Sequence, residues 1–150
     1  MRVVIQRVSE ASVTIDGDIK GSINRGFLIL LGIVEEDSQN DIDWLVGKIV
    51  KMRIFPDSDD KMNLSLADVG GDLLVISQFT LHAGTKKGNR PSFIKAARPE
   101  TAIPLYHNFI TTAEQVLGKP CACGEFGADM KVALINDGPV TIMLDSQLRE

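Results

Sequence analysis

The stretch RVVIQRVSEASVTIDGDIKGSINRGFLILLGIV, residues 2–34, decides the fold class. Arg2 to Val8 alternates as a strand does, with Val3, Ile5 and Arg7 on one face and Val4, Gln6 and Val8 on the other. Ser12 to Ile15 and Asp18 to Ile23 flank Asp16-Gly17, a pair that favours a two-residue hairpin turn. Phe27 to Val34 is a continuous apolar run, too short for a helix of its own and suited to a buried strand. Three strands therefore come before any helical pattern.

Outward from this stretch, Ser38 can cap a helix, with Asp41 three residues on where a carboxylate favours the N-terminus. Ile42, Leu45, Val46, Ile49 and Val50 form its apolar stripe. Pro56 and DSDDK read as a polar loop, and Leu64 and Leu66 as a short strand. Gly70-Gly71 turns the chain into a strong strand over Leu73–Phe79, and Leu81–Pro91 is a loop. A second helix is predicted over Pro99–Leu117, closed by Gly118 and Pro120. Pro104 is tolerable because it lies near the first turn. Met130–Ile135 and Val140–Leu144 are the last two strands, joined by Asn136-Asp137-Gly138-Pro139. Many strands and two main helices without regular alternation predict an α+β fold. Its sheet is largely antiparallel or mixed and barrel-like, in a single domain over 1–150.

The N-terminal apolar stretch is too short and too often interrupted for a signal peptide. No run reaches the ~20 apolar residues needed to span a bilayer, so the expected location is cytoplasmic, with no membrane partner. Cys121 and Cys123 stand one residue apart, too close for a relaxed disulfide, and His82 and His107 have no ligand-like spacing to them. Free thiols and no metal are expected.

The net charge is −4, but its distribution is uneven. Leu73 to Pro99 holds no acidic residue and carries Lys86, Lys87, Arg90, Lys95 and Arg98, so this segment is +5 and the remainder −9. A basic loop in an acidic chain is either a local anion site or a solvated, self-repelling loop.

Serine-hydrolase elbows and zinc-helix motifs are missing, and GTKKGN at 84–89 lacks the spacing of a phosphate loop. A Ser77–His82–Asp145 triad has no support in spacing. Two segments remain. Ser77-Gln78-Phe79-Thr80-Leu81 puts polar groups where a strand meets the basic loop, either as a site or as side chains finishing the strand. Asn136-Asp137-Gly138-Pro139-Val140-Thr141 reads either as a hairpin turn or as a rigid unit presenting backbone carbonyls.

MRVVIQRV (1–8), GFLILLGI (26–33), SQFTL (77–81), NRPSF (89–93), FGADMKV (126–132) and NDGPVT (136–141) occur in an order that resembles the D-aminoacyl-tRNA deacylase family over essentially the whole chain. SQFTL and GPVT at this separation carry most of the specificity. The resemblance implies hydrolysis of the ester in D-aminoacyl-tRNA by a homodimer with sites near the subunit interface. It implies a cis Gly138-Pro139 bond reaching into the partner's pocket, Arg7 orienting that unit, and Ser77, Gln78, Phe79 and Thr80 forming the opposite wall.

The chemistry fits these residues. Rigid carbonyls packed against the α-carbon would exclude every L side chain and admit D side chains of any size. Glycine has no side chain, so glycyl-tRNA is an expected substrate as well. Backbone N–H groups near Phe79 and Thr80 could stabilise the oxyanion of the attacked ester. Thr80 could position the substrate or act as nucleophile, although it has no evident base. Otherwise the attack falls to water, with help from the 2′-hydroxyl of the terminal ribose. Phe79 is either core or a base-stacking platform. Lys86, Lys87 and Arg90 could hold acceptor-stem phosphates without reading sequence. No cofactor is implied. The rival readings are a non-catalytic tRNA-binding module and a small esterase that does not need tRNA.

Overall fold

A computed structural model describes all 150 residues. Strand β1 (Arg2–Ile15) is the spine of the sheet. Its second half turns through Asp16 and Gly17, both at positive φ (50° and 83°), into β2 (Asp18–Ile23). Its first half pairs antiparallel with β3 (Gly26–Gly32), from Arg2 opposite Gly32 to Val8 opposite Gly26. The apolar run of β3 is buried because helices cover it on one side and the curled sheet on the other.

Helix α1 (Gln39–Lys51) begins at Ser38, whose N–H donates to the Asp41 carboxylate at 2.8 Å. A small hairpin comes next, β4 (Phe55–Pro56) with β5 (Met62–Leu64). β6 (Asp72–Ser77) lies parallel to β3, from Gly26 opposite Asp72 to Leu31 opposite Ser77. α2 (Pro99–Leu117) ends in the left-handed Gly118, whose N–H reaches the Glu114 carbonyl at 2.8 Å. The pair β7 (Ala122–Cys123) runs parallel to β6, and β8 (Lys131–Asp145) lines the whole free side of β1 antiparallel.

The sheet is therefore mixed, and it curls. Gly21 of β2 lies against β7 so closely that a Cβ there would sit 3.1 Å from the Cys123 carbonyl oxygen. The curl makes two cores. Val3, Ile5, Phe27, Ile29 and Val75 face the helices and meet Ile42, Leu45, Tyr106 and Phe109. Val8, Val13, Leu28, Leu74 and Ile76 fill the barrel interior.

Several sequence expectations are corrected. Arg2–Val8 and Ser12–Ile15 are one strand. Its apolar pattern breaks at the exposed Ser9 and Glu10 because there β1 passes from the helix-facing core into the barrel. Asn136–Pro139 does not turn the chain, since residues on both sides of it pair with β1 in the same direction. The predicted strand over Leu73–Phe79 stops at Ser77, Leu66 lies outside any strand, and β4 and β7 were not expected. Strands of two residues carry too little pattern to be read.

Candidate active site

β6 delivers Ser77 to the sheet's end, where the Gln78 N–H still bonds the Leu31 carbonyl at 2.7 Å. The chain then tightens into one 3₁₀ turn, Phe79–His82, with the Leu81 N–H on the Gln78 carbonyl at 3.2 Å. The N–H groups of Phe79 and Thr80 have no protein partner. Two adjacent free donors at the mouth of a cavity can stabilise a developing oxyanion. The Gln78 side-chain amide donates to Thr80 Oγ1 at 2.5 Å, which fixes the hydroxyl and leaves its proton available.

Under the turn lies Gly32. A Cβ there would stand 3.0 Å from Leu81 Cβ and from His82 Cδ2, so β3 and the turn are in tight contact. The sequence predicts a loop from Leu81, but His82 closes the 3₁₀ turn and its side chain is buried beneath it. Burial pushes its pKa down, and its Nε2 has no partner. A neutral, enclosed imidazole supports the turn from below.

The cavity beside the turn measures about 290 Å³. Ser77, Gln78 and Phe79 form one wall; Leu31, Ala97 and Ala102 lie behind; Phe126 to Met130 form the other side. Sequence reasoning missed this second wall as part of a site, although FGADM was visible as a motif. Phe79 is 54% exposed, so it is not a core residue.

The second segment is a bulge. Gln6 pairs with Thr141 and Val8 with Asn136, so the four residues Asp137–Val140 stand opposite Arg7 alone. The Gly138-Pro139 peptide is cis. Arg7 is buried, only 8% exposed. Its Nε donates to the Asp137 carbonyl at 2.8 Å, its Nη1 donates to the Ile54 carbonyl, and the Asp137 carboxylate lies 3.6 Å from Nε. Asn136, read from sequence only as a turn residue, braces the other side. Its Oδ1 accepts the Val140 N–H at 2.8 Å and its Nδ2 donates to the Val140 carbonyl at 3.1 Å. Gly138 sits at φ +152°, and a Cβ there would meet Val140 at 2.7 Å, so only glycine fits. Asp137, Gly138 and Pro139 are exposed on a strand edge that no other strand covers.

One chain does not bring the two segments together. Arg7 pairs with Phe27, which pairs with Leu73, while Ser77 lies four residues further along β6. Four residues are about 13 Å along a strand, and β8 to β6 is three strand spacings, about 14 Å. The bulge and the cavity therefore stand on the order of 20 Å apart within a subunit.

The basic loop has a closed neck. Gly84 and Ser92 exchange two backbone hydrogen bonds, of 2.7 and 2.9 Å. Lys86, Lys87 and Arg90 are exposed beyond it, and none of them makes an ion pair. Cys121 and Cys123 are free, and burial pushes the Cys121 thiol up to about 12, so it is not an available nucleophile at neutral pH. No helix is long and apolar enough to cross a membrane.

Comparison with known proteins identifies the family. A family model described as D-Tyr-tRNA(Tyr) deacylase matches residues 4–145. The chain is 62% identical over 150 residues to the D-aminoacyl-tRNA deacylase of Flavobacterium johnsoniae and 61% identical to that of Bacteroides thetaiotaomicron, each covered over 100% of both chains. Among solved structures, one of a c-Myc DNA Unwinding Element Binding Protein superposes with a TM-score of 0.92 at 40% identity, covering 97% of this chain and 98% of that one. With a match over nearly its whole length and relatives above 60% identity, the chain is a deacylase, an ester hydrolase, and belongs to the D-Tyr-tRNA(Tyr) deacylase family.

Proposed function

We propose that this enzyme clears D-amino acids and glycine from tRNA, and that it does so as a homodimer in the cytoplasm. In that dimer the Gly138-Pro139 unit of one subunit closes the Ser77–Thr80 cavity of the other. The observation that carries the reading is the pair of incomplete half-sites. An exposed backbone bulge is braced by Arg7 and Asn136 yet has nothing to act on in its own chain. A cavity bordered by Phe79, at the start of the turn that carries two free N–H donors, has an open side.

These parts account for the reaction. Water attacks the ester carbonyl carbon, with the 2′-hydroxyl of the terminal ribose assisting, and the carbonyl oxygen becomes an oxyanion held by the Phe79 and Thr80 N–H groups. Collapse breaks the bond to the ribose oxygen, which takes up a proton, and releases free amino acid and tRNA. Thr80 positions the substrate rather than attacking it. His82, the nearest candidate base in sequence, is buried beneath the turn and serves its packing. Gln78 holds the wall in register through its N–H on the Leu31 carbonyl and its side-chain amide on Thr80 Oγ1, and Ser77 pairs in register with Leu31.

Selectivity comes from the bulge. Its carbonyls occupy the direction in which an L side chain leaves the α-carbon, so every L residue is excluded sterically and glycine is not. Rigidity is required, because a yielding wall discriminates poorly. Lys86, Lys87 and Arg90 hold acceptor-stem phosphates.

The test is deacylation of D-tyrosyl-, L-tyrosyl- and glycyl-tRNA by the purified protein in the presence of a chelator. Loss of the D and glycyl esters with the L ester spared is expected. Equal loss of all three would remove the filter and leave an esterase. Tight tRNA binding without hydrolysis would leave only a binding module.

A further inference from the structure

Helix α1 carries a glycine that its own packing does not explain. Gly47 lies in the interior of the helix, where glycine is less stable than alanine. No positive φ demands it, and a Cβ there would meet nothing within 4 Å. The missing side chain leaves an open groove of about 600 Å³ on the outer face of the helix, lined by Asp43, Trp44, Gly47, Lys48, Lys51 and Met52. Cations gather round it. The Arg149 guanidinium lies 4.7 Å over the Trp44 ring, and Lys48 Nζ lies 5.9 Å from the same ring centre, so the half-buried indole holds both. Arg149 is held a second time by its Nε, which donates to the Ser146 carbonyl at 3.0 Å. Lys48, Lys51 and Arg149 are exposed, and none is in an ion pair. Asp43, the one acid lining the groove, accepts from the Gln39 side-chain amide at 2.8 Å instead of pairing with a lysine. Lysines suit the C-terminal end of any helix, but that accounts neither for the glycine nor for Arg149 over the ring.

The groove has walls from one helix and its cap alone, too open to enclose a small ligand, which buries most of its surface when bound. A membrane or an apolar protein partner needs exposed large apolar side chains, and α1 offers none. A phosphate backbone needs what is present, unpaired cations and room for close approach. Trp44 to Lys51 covers about 10 Å of helix axis, a length over which one strand of a duplex presents about three phosphates. The groove also adjoins the bulge. Lys51 is at most about 11 Å along the chain from Ile54, whose carbonyl takes the Arg7 guanidinium that braces Gly138-Pro139. Resting on the function proposed above, we propose that the α1 groove seats the sugar-phosphate backbone of the tRNA whose charged end lies in the partner subunit's cavity. The subunit that supplies the bulge then also holds the RNA, through a contact separate from the basic loop.

The experiment measures binding of uncharged tRNA at several salt concentrations to wild-type protein, to the double variant Lys48→Gln with Lys51→Gln, and to Gly47→Leu. The double variant should lower the slope of log K against log salt by about 1.4–1.8. Gly47→Leu changes no charge and adds a good helix former in open space, so its Tm should not fall. It should still weaken binding about five- to eightfold at about 0.1 M salt for each phosphate it displaces. Both effects are required. A loss in the double variant alone would mean long-range attraction without a seat, and a loss in Gly47→Leu alone would mean a ligand other than phosphate; either overturns the proposal, as does wild-type binding by both. Co-sedimentation of the wild type with phosphatidylserine vesicles, lost in the double variant while tRNA binding is kept, would assign the face to a membrane and also overturn it. Deacylation of D-tyrosyl-tRNA by the same wild-type preparation reports separately on the catalytic reading, which stands or falls without the groove.

Discussion

Arg7→Lys separates holding the bulge from merely filling space. The guanidinium donates at once to the Asp137 carbonyl in the β8 bulge and the Ile54 carbonyl between α1 and β4, from a position 8% exposed. A lysine keeps the charge and most of the stem but is a single point donor, so it can satisfy one carbonyl and not both. The other loses its donor, at about 1–3 kcal/mol for the Ile54 carbonyl, whose bond is buried, and less for that of Asp137, whose bond is only partly buried. Taking about 2 kcal/mol, a 150-residue domain loses roughly 4–8 °C in Tm. If the carbonyl released is that of Asp137, the bulge loses its anchor on one side and keeps only Asn136. The same energy bounds the effect on selectivity, since about 2 kcal/mol is roughly thirtyfold. The expected outcome is a D/L ratio of kcat/KM that falls between about tenfold and thirtyfold. It should fall mainly because L-tyrosyl-tRNA is hydrolysed faster. The assay pairs a thermal melt with deacylation of D- and L-tyrosyl-tRNA. A variant that loses the expected stability but keeps the wild-type ratio would refute the reasoning, because Arg7 would then be a core residue with no bearing on the filter.

Other contacts set three further outcomes. Gly32→Ala pushes a Cβ to 3.0 Å from Leu81 and His82, so the turn carrying the free N–H groups must shift by a few tenths of an ångström. A stability loss of about 1–3 kcal/mol and at least a tenfold lower kcat are expected, and unchanged kcat would detach that turn from catalysis. Removing two cations with Lys86→Ala and Lys87→Ala should shrink the slope of log K against log salt for tRNA binding by about 1.4–1.8, measured by titration at several salt concentrations. His82 has its pKa lowered by burial, so below its usual value near 6.5 the unfolded chain takes up a proton that the native state refuses. Stability should therefore fall as pH drops from about 6.5 towards 5, and His82→Leu should flatten that slope in denaturant melts. An unchanged slope would mean that another group titrates there.

Much of the fold was legible because its signals are local. The Asp16-Gly17 hairpin, the Ser38 cap with Asp41, and the Pro99–Leu117 helix with Gly118 after it each depend on neighbours within one turn, and the structure reproduces them. The candidate site was legible as two short segments, Ser77–Thr80 and Gly138-Pro139, but not as geometry. That Asn136–Val140 bulges rather than turns depends on β1 continuing past Val8, on the order of 130 residues earlier in the chain. The burial of His82 depends on Gly32 lying under it, and the second wall of the cavity depends on the sheet curling until Phe126–Met130 faces β6.

By itself, then, the sequence determined the main helices and strands, the α+β class and the motifs that carry the family. Propensity, capping and turn chemistry act over a few residues and survive in any context. Only the tertiary structure decided that Arg7 is a buried clamp and that the bulge faces outward from an uncovered edge. It alone stood the bulge and the cavity on the order of 20 Å apart in one chain. Those are matters of strand register and sheet curl, set by contacts between residues far apart in sequence, and no local pattern encodes a distance of that kind.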